Sequence, residues 1–310
     1  MNRASFPVLV LLFSAAASSP PARAQSRPQV PTFGAAVEMI NLNVSVTDVH
    51  HGYVTGLGRD DFAVFEDGVP QQLAVFGHDN VPISLALMID GSSSMEEKLK
   101  SAQDAAVAFT RTLQPGDEAE VIQFNQRTVT LQPFTSDHAA LESAIRQTEA
   151  SGTTALHTAL YVTLKSLLAD RRAQLLRRAV VLLTDGEDTA SAVSDDQVLE
   201  LARKSDINIY AVSLRPNAPG DRARPAWAQA EYLLTSLARD TGGRAFFPST
   251  LGEIRPVYAR IAEELRTLYS VGYTPSSGSR DGKWRHIQVR LPSHEGLEVR
   301  HKLGYYAPAS

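Results

Sequence analysis

Apolar residues follow a two-residue period near both ends of the 310-residue chain. Between residues 37 and 76 they mostly occupy every second position, which is typical of β-strands. Asp67–Gly68 separates two of these runs and predicts a hairpin turn. After Leu268 the alternation returns at three places: Tyr269–Tyr273, Ile287–Leu291 and Leu297–His301. Residues 37–80 and 269–310 are therefore predicted to be β-rich.

The middle of the chain differs, because continuous apolar runs alternate there with segments of helical periodicity. Three runs predict strands that are buried on both faces: Ile83–Ile89, Ala179–Leu183 and Ile207–Leu214. Two further strands are expected at Val121–Phe124 and Val129–Leu131. A helix of about twenty residues is expected to follow the first run and to end at Leu113. Other helices are expected over Asp137–Thr148, Ala155–Asp170, Asp195–Lys204, Ala226–Thr241 and Leu251–Leu268.

Strands that alternate with helices predict an α/β fold, with a doubly wound, mostly parallel sheet and helices on both faces. The β-rich ends are expected to pack together as a small β-sandwich into which the α/β domain is inserted. The predicted organisation is a signal peptide (1–24), a linker (25–36), an N-terminal β region (37–80), the α/β domain (81–268) and a C-terminal β region (269–310).

The first residues have the features of a secretory signal. Arg3 supplies positive charge, Phe6–Ala17 is apolar but too short to span a bilayer, and Ala22–Ala24 fits a cleavage site. We therefore expect an exported protein, periplasmic or extracellular, whose mature chain begins at Gln25. An uncleaved anchor is the alternative. No later segment of the sequence is expected to cross a membrane.

Composition removes several classes of function. The sequence contains no cysteine, which excludes disulfides, thiolate catalysis and Cys-ligated zinc. The net charge is -4 and no long basic run occurs, which argues against nucleic acid as a partner. Adjacent His50 and His51 are expected to be exposed, because no carboxylate or third histidine lies at metal-ligand spacing from them. His157 is expected to be a partly buried residue of a helix.

Polar side chains directly follow two of the predicted buried strands. Asp90, Ser92 and Ser94 follow the first in a D-x-S-x-S pattern, and Thr184–Gly186 follows another. Doubly wound sheets bind ligands beyond the carboxyl ends of their strands, so Asp90 and Asp185 face one crevice if these strands are neighbours. Oxygen atoms are the ligands that a hard cation prefers. The helix expected after the serines turns its positive end to the site, so a carboxylate must supply compensating charge.

A small-residue loop, Ser151–Leu156, opens another predicted helix and offers a hydroxyl to the same region. Two of these segments, and the acidic residues after the second of them, also have simpler explanations. Asp90–Ser94 resembles a helix N-cap cluster, Thr184–Gly186 resembles a turn, and Glu187 and Asp188 resemble solvated loop charges. The three segments together, in this order, favour a metal site.

The three segments resemble the metal-ion-dependent adhesion site of von Willebrand factor type A domains, and the resemblance covers roughly Val81–Leu268. It implies a metal site formed by Asp90, Ser92, Ser94, Thr154 and Asp185. In that family the two serines bind the metal directly, the threonine does so in one state, and the two aspartates hold coordinated waters.

The sequence departs from the family pattern at two positions. Ser93 stands between the serines where the family usually has glycine, and Thr153 competes with Thr154 for the loop position. Thr154 is preferred because G-T-T-A-L aligns with the family's G-G-T-A-L.

The flanking regions resemble an exported family of von Willebrand factor type A-related domains described from acidobacteria. The resemblance rests on four segments: Thr55–Leu57, Asp61–Phe62, Glu66–Gly68 and Gly304–Pro308. It would cover nearly the whole mature chain. It supports the expected export and architecture but implies no defined biochemical role.

The expected function is that of an adhesion-type binding module, in which one divalent cation coordinates an Asp or Glu side chain of a partner protein. Oxygen-only ligands favour Mg²⁺, with Mn²⁺ and Ca²⁺ as alternatives. No catalysis is expected, because the three segments contain no histidine as a general base and Met95 breaks the G-x-S-x-G pattern of serine hydrolases. The alternatives are a structural or assembly subunit that does not use the metal, and a metal-assisted hydrolase.

Overall fold

The computed structural model describes residues 39–78, 81–170, 176–185, 187–214 and 225–309. The predicted signal peptide and linker lie outside these residues, as do Val37 and Gly186. Strands occur at β1 (Ile40–Thr47), β2 (Ala63–Glu66), β3 (Val69–Gln71), β4 (Leu73–Gly77), β5 (Ile83–Asp90), β6 (Glu118–Phe124), β7 (Thr128–Thr135), β8 (Arg177–Thr184), β9 (Ile207–Ser213), β10 (Ala245–Phe246), β11 (Tyr269–Tyr273), β12 (Trp284–Arg290), β13 (Glu298–Arg300) and β14 (Gly304–Tyr306). Helices occur at α1 (Leu99–Thr110), α2 (His138–Arg146), α3 (Leu156–Ala169), α4 (Asp195–Arg203), α5 (Pro225–Thr241) and α6 (Ile254–Thr267).

A six-stranded sheet in the order β10-β9-β8-β5-β6-β7 forms the centre of the α/β domain. All its pairs are parallel except β6 with β7, which are antiparallel. Strand β5 is buried along its whole length, because its alternate residues belong to different cores. Leu85 and Leu87 pack with α1, α2 and α6, whereas Ala86 and Met88 pack with α3, α4 and α5. The predicted α/β fold with helices on both faces is confirmed.

Both ends of the chain contribute to a β-sandwich. One sheet has the order β13-β1-β11-β4 and the other has the order β14-β12-β2-β3. Strand β1 pairs antiparallel with β11 and β13, and β2 pairs with β12. Leu42 and Val44 of the first sheet share one buried core with Val64 and Ile287 of the second. The α/β domain is therefore inserted in a sandwich formed by N- and C-terminal strands, as predicted.

A polar cluster joins the sandwich to the α/β domain. Glu264 of α6 is fully buried and accepts hydrogen bonds from the hydroxyls of Tyr53 (2.9 Å) and Tyr210 (2.8 Å). Its Oε2 also accepts from Nη2 of Arg300, at 2.5 Å. Arg300 further donates to the carbonyl oxygens of Gly242 and Gly243. We call Glu264, Tyr53, Tyr210 and Arg300 the Glu264 cluster.

The first helix of the α/β domain is shorter than the sequence predicted. Helix α1 begins at Leu99 and not directly after Ser94, so the expectation of a helix starting at once was wrong. Ser93–Met95 forms a 3₁₀ turn instead. Within the described ranges, no helix is both long enough and apolar enough to cross a membrane.

Candidate metal centre

Asp90 is the last residue of β5, and its carboxylate is fully buried. Oδ1 accepts a hydrogen bond from the backbone amide of Ser92 at 2.8 Å, and Oδ2 accepts from Oγ1 of Thr184 at 2.6 Å. Burial, opposed by hydrogen bonds from Thr184 and Ser92 and assisted by the nearby charge of Asp185, raises the pKa of Asp90 to about 6. A cation at this position would stabilise the buried negative charge.

The hydroxyls of Ser92 and Ser94 converge beside Asp90. Their Oγ atoms lie 3.0 Å apart, and Ser92 is buried while Ser94 is exposed. Ser92 precedes the 3₁₀ turn without a side-chain capping hydrogen bond, and Lys98 occupies the N-cap of α1. The hydroxyls of the serines therefore do not cap the helix. They form a hydrogen bond with each other, which places two oxygen atoms side by side.

Backbone hydrogen bonds hold the loop that contains Thr154 (Ser151–Leu156) against the loop that contains the two serines (Asp90–Ser94). The amide of Ser151 donates to the carbonyl of Gly91 at 2.7 Å, and the amide of Ser93 donates to the carbonyl of Gly152 at 3.0 Å. Gly91 has no room for a side chain, because a Cβ there would lie 2.7 Å from the carbonyl oxygen of Glu149. Glycine at this position therefore permits the close approach of the two loops.

Thr154 and Thr153 have different environments at the end of this loop. Thr154 is buried, and its amide donates to Oγ1 of Thr189 at 3.0 Å while its carbonyl accepts from the amide of Thr189 at 2.9 Å. Thr153 is exposed. The burial and fixed backbone favour Thr154 as the loop residue of the site, and the choice between the two threonines stays a prediction.

Asp185 follows β8, which is the parallel neighbour of β5. The two strands are therefore adjacent, as the prediction that Asp90 and Asp185 face one crevice required. The carboxylate of Asp185 is buried, and its two oxygen atoms differ in whether they have a partner. Oδ2 lies 3.3 Å from Nζ of Lys98, whereas Oδ1 is buried with no hydrogen-bond partner among the described residues. A buried carboxylate oxygen without a partner is unfavourable unless a cation or water satisfies it.

The donor set fits a small, hard cation. Two carboxylates, two converging serine hydroxyls and a buried threonine offer only oxygen atoms, which suit Mg²⁺ better than a soft metal. Among the described residues, no group of three or more His, Asp or Glu side chains is placed to hold a metal. A site here would therefore depend on hydroxyls as well as carboxylates.

The sequence analysis missed the contacts of the two aspartates. Lys98 contacts Asp185, and no sequence signal separates it from a surface lysine. Thr184 belongs to a segment that the sequence singled out, but its hydrogen bond to Asp90 was not predicted. Asp188, expected to be a solvated loop charge, is instead partly buried and accepts a hydrogen bond from Ser191 at 2.7 Å. Its Oδ2 lies 3.6 Å from Nδ1 of His157, which is half-buried as expected.

Comparison with known proteins matches the α/β part of the chain. The family model for the von Willebrand factor type A domain matches residues 85–187. A UPF0353 protein of Mycolicibacterium paratuberculosis is 25% identical over 223 residues, which cover 66% of this chain and 66% of the relative. The match therefore spans just under two thirds of the relative's length.

Solved structures show the same fold at low identity. The von Willebrand factor type A structure from Catenulispora acidiphila superposes with a TM-score of 0.50 and 12% identity, covering 86% of this chain and 74% of that one. The PilB minor pilin from Streptococcus sanguinis also has a TM-score of 0.50 and 12% identity, covering 61% and 62%.

Proposed function

The chain contains a von Willebrand factor type A domain, and we propose that this domain binds one divalent metal ion, Mg²⁺ by preference, through which it holds an acidic side chain of a partner protein. The observation that carries the proposal is the buried Oδ1 of Asp185, which has no hydrogen-bond partner among the described residues. It follows the strand next to β5, and the hydroxyls of Ser92 and Ser94, 3.0 Å apart, follow β5 itself. These atoms lie at the carboxyl edge of two adjacent parallel strands, where α/β sheets bind ligands.

Each residue of the proposed site has a distinct task. Ser92, Ser94 and Thr154 supply neutral hydroxyl oxygens, while Asp90 and Asp185 supply negative charge. Thr184 and the amide of Ser92 fix the carboxylate of Asp90, so it is oriented before the metal arrives. A cation held largely by neutral oxygens keeps the capacity to attract a further carboxylate, which is the chemistry it would supply.

The proposal is one of binding and not of catalysis. The segments Asp90–Ser94, Ser151–Leu156 and Thr184–Gly186 contain neither histidine nor cysteine, so they provide no imidazole base and no thiolate nucleophile. We propose a periplasmic or extracellular location for this activity, on the basis of the predicted export signal. One protein of similar fold is named a minor pilin, and an adhesion or assembly role for this chain is part of the proposal.

Titration of the purified chain with Mg²⁺ and Mn²⁺, followed by calorimetry, tests the proposal. We expect saturable one-site binding. Asp90→Asn and Ser92→Ala should weaken it at least about tenfold, because each removes one oxygen donor or one charge from a small site. Ser93→Ala is the matched control, since Ser93 lies between the two site serines and is exposed.

Thermal unfolding provides a second measurement. Mg²⁺ at about one hundred times its dissociation constant should stabilise the folded chain by about 2.7 kcal/mol, because it binds the folded state alone. The Ser93→Ala variant should show the same gain, and the two site variants a much smaller one. Absence of both heat and stabilisation in a folded wild-type chain, checked by circular dichroism, would rule out the metal site.

A further inference from the structure

Lys98 is the one described cation in contact with the carboxylates of the proposed site. Its Nζ lies 3.3 Å from Oδ2 of Asp185, and both side chains are largely shielded from solvent. Its backbone is fixed at the start of α1, where its amide donates to the carbonyl of Met95 and its carbonyl accepts from the amide of Ala102. The backbone of Lys98 is therefore held at the edge of the site, and its ammonium is paired with Asp185 and mostly shielded from solvent.

We infer that Lys98 is an internal cation that competes with the metal for the negative charge of Asp185 and so sets the affinity of the site. This inference rests on the metal site proposed above. Without Lys98 the site would present two carboxylates to the metal, and with it one of them is already neutralised. A unit charge close to a partly buried dication is strongly repulsive, since the effective dielectric there is far below that of water.

The contacts of Asp185 explain why removal of the lysine should strengthen binding. Asp185 is itself buried, so packing holds its side chain after the ion pair is lost. Only Oδ2 is used by Lys98, and Oδ1 is without a partner among the described residues. The charge of Lys98 therefore opposes the metal while its contribution to positioning the carboxylate is secondary.

The structure also provides space into which the ammonium can withdraw when a metal binds. Lys98 lines a cavity of about 120 Å³ together with Glu97, Leu214, Ser249 and Thr250. The carboxylate and hydroxyls of this lining offer alternative acceptors for the ammonium. Displacement of Lys98 from Asp185 into this cavity would allow metal and lysine to exchange without unfolding the loop.

Such a lysine has a consequence for the partner. After displacement into the neighbouring cavity the ammonium of Lys98 still lies close to the site, so the loaded site carries more net positive charge than two aspartates alone would give. A weakly held metal with surplus charge gains most from an additional carboxylate. The acidic side chain of a partner would then tighten metal binding, and partner and metal would bind cooperatively.

Calorimetric titration of the full chain with Mg²⁺ alone tests the inference. We expect Lys98→Met to bind Mg²⁺ about tenfold or more tightly than wild type, because the repulsive charge is removed. Lys98→Arg should keep nearly the wild-type affinity, since it retains the charge. Lys100→Met is the matched control, because Lys100 lies on the same helix, is exposed and pairs with Asp104 away from the site.

Thermal unfolding of the same variants supplies a readout that does not depend on titration heats. Lys98→Met should melt at a lower temperature than wild type without metal, because Asp185 loses its counter-charge, and should gain more on addition of Mg²⁺. If wild type binds Mg²⁺ and Lys98→Met binds equally or more weakly, the inference is overturned and the metal site stands. If neither wild type nor any variant binds, both the site and the inference fail.

Discussion

Three buried carboxylates of the α/β domain differ in how their charge is satisfied. Glu264 accepts hydrogen bonds from two tyrosines and pairs with Arg300, and Asp90 accepts from Thr184 and Ser92. Glu120 of β6 is nearly as buried, yet its Oε1 has no partner among the described residues. Burial raises the pKa of Glu120 to about 7, and the charges of Asp170 and Glu118 add to this effect.

Replacing Glu120 with glutamine should therefore stabilise the protein at alkaline pH. The pKa of Glu120 in the folded chain lies above its unfolded value of 4.5, so its contribution to stability is fully present below pH 4.5 and is lost as the pH rises through 7. Glu120→Gln should raise the free energy of unfolding by roughly 2–3 kcal/mol at pH 8 and by little at pH 4.5. Urea denaturation at both pH values measures the difference.

Glu97→Gln is a suitable control for the loss of one negative charge, since Glu97 is exposed. A gain for Glu120→Gln that is equal at both pH values, or equal to that of Glu97→Gln, would contradict the assignment of Glu120 as a destabilising buried charge.

The five residues Asp90, Ser92, Ser94, Thr154 and Asp185 were named because they match the motif of the von Willebrand factor type A family, and their role as a metal site stays a prediction. The contacts that these residues make could not be predicted. Lys98 meets Asp185 across a separation of 87 residues, and Thr184 meets Asp90 across 94. No local pattern records such a pair, because it depends on which strands become neighbours.

Among the elements, the largest departure from prediction is the start of α1. Periodicity alone extended this helix back to the serines, but the amides of Met95 and Glu96 donate to the carbonyls of the residues three positions earlier. These bonds form a 3₁₀ turn, and α1 begins only at Leu99. Apolar runs and periodicity thus located the elements, while the local hydrogen bonds decided where this one begins.

Two tyrosines at helix α6 differ in whether their buried hydroxyl forms a hydrogen bond. Tyr210 of β9 donates to Glu264, whereas the hydroxyl of Tyr258 is buried without a partner among the described residues. Tyr210→Phe should cost about 1–2 kcal/mol, because it leaves a buried carboxylate with one donor fewer. Tyr258→Phe should lie within about 0.5 kcal/mol of wild type or be stabilising, because it removes an unsatisfied hydroxyl.

Guanidinium denaturation of both variants checks this difference, and each serves as the control for the other because the change in volume is the same. Equal losses would indicate that ring packing, and not the hydrogen bond to Glu264, determines the cost. In that case the hydrogen bond of Tyr210 would not contribute to the stability of α6.

At the level of the whole molecule, the sandwich and the α/β domain meet through polar contacts. Leu42, Val44 and Val46 of β1 face the core of the sandwich. The alternate residue Asn43 donates instead to Oδ1 of Asn208 in β9, at 2.6 Å. The alternating pattern of this strand predicted its existence but not that its polar side would contact a second domain. Sequence therefore indicated the two domains more clearly than the manner in which they join.

The Glu264 cluster should be the main determinant of that junction. Arg300 of β13 neutralises Glu264 of α6, so Arg300→Met would leave a fully buried carboxylate without counter-charge. We expect a loss of roughly 2–4 kcal/mol in the free energy of unfolding. Hydrogen exchange should accelerate first in β1 and β13, which carry the sandwich side of the contact, while β5 at the centre of the α/β sheet stays protected.

Arg290→Met is the control, because exposed Arg290 contacts only Gln288 and the ring of Phe65 among the described side chains. If Arg300→Met matched Arg290→Met in both stability and exchange, the two domains would have to be held by apolar contacts, and the inserted arrangement would not depend on this ion pair.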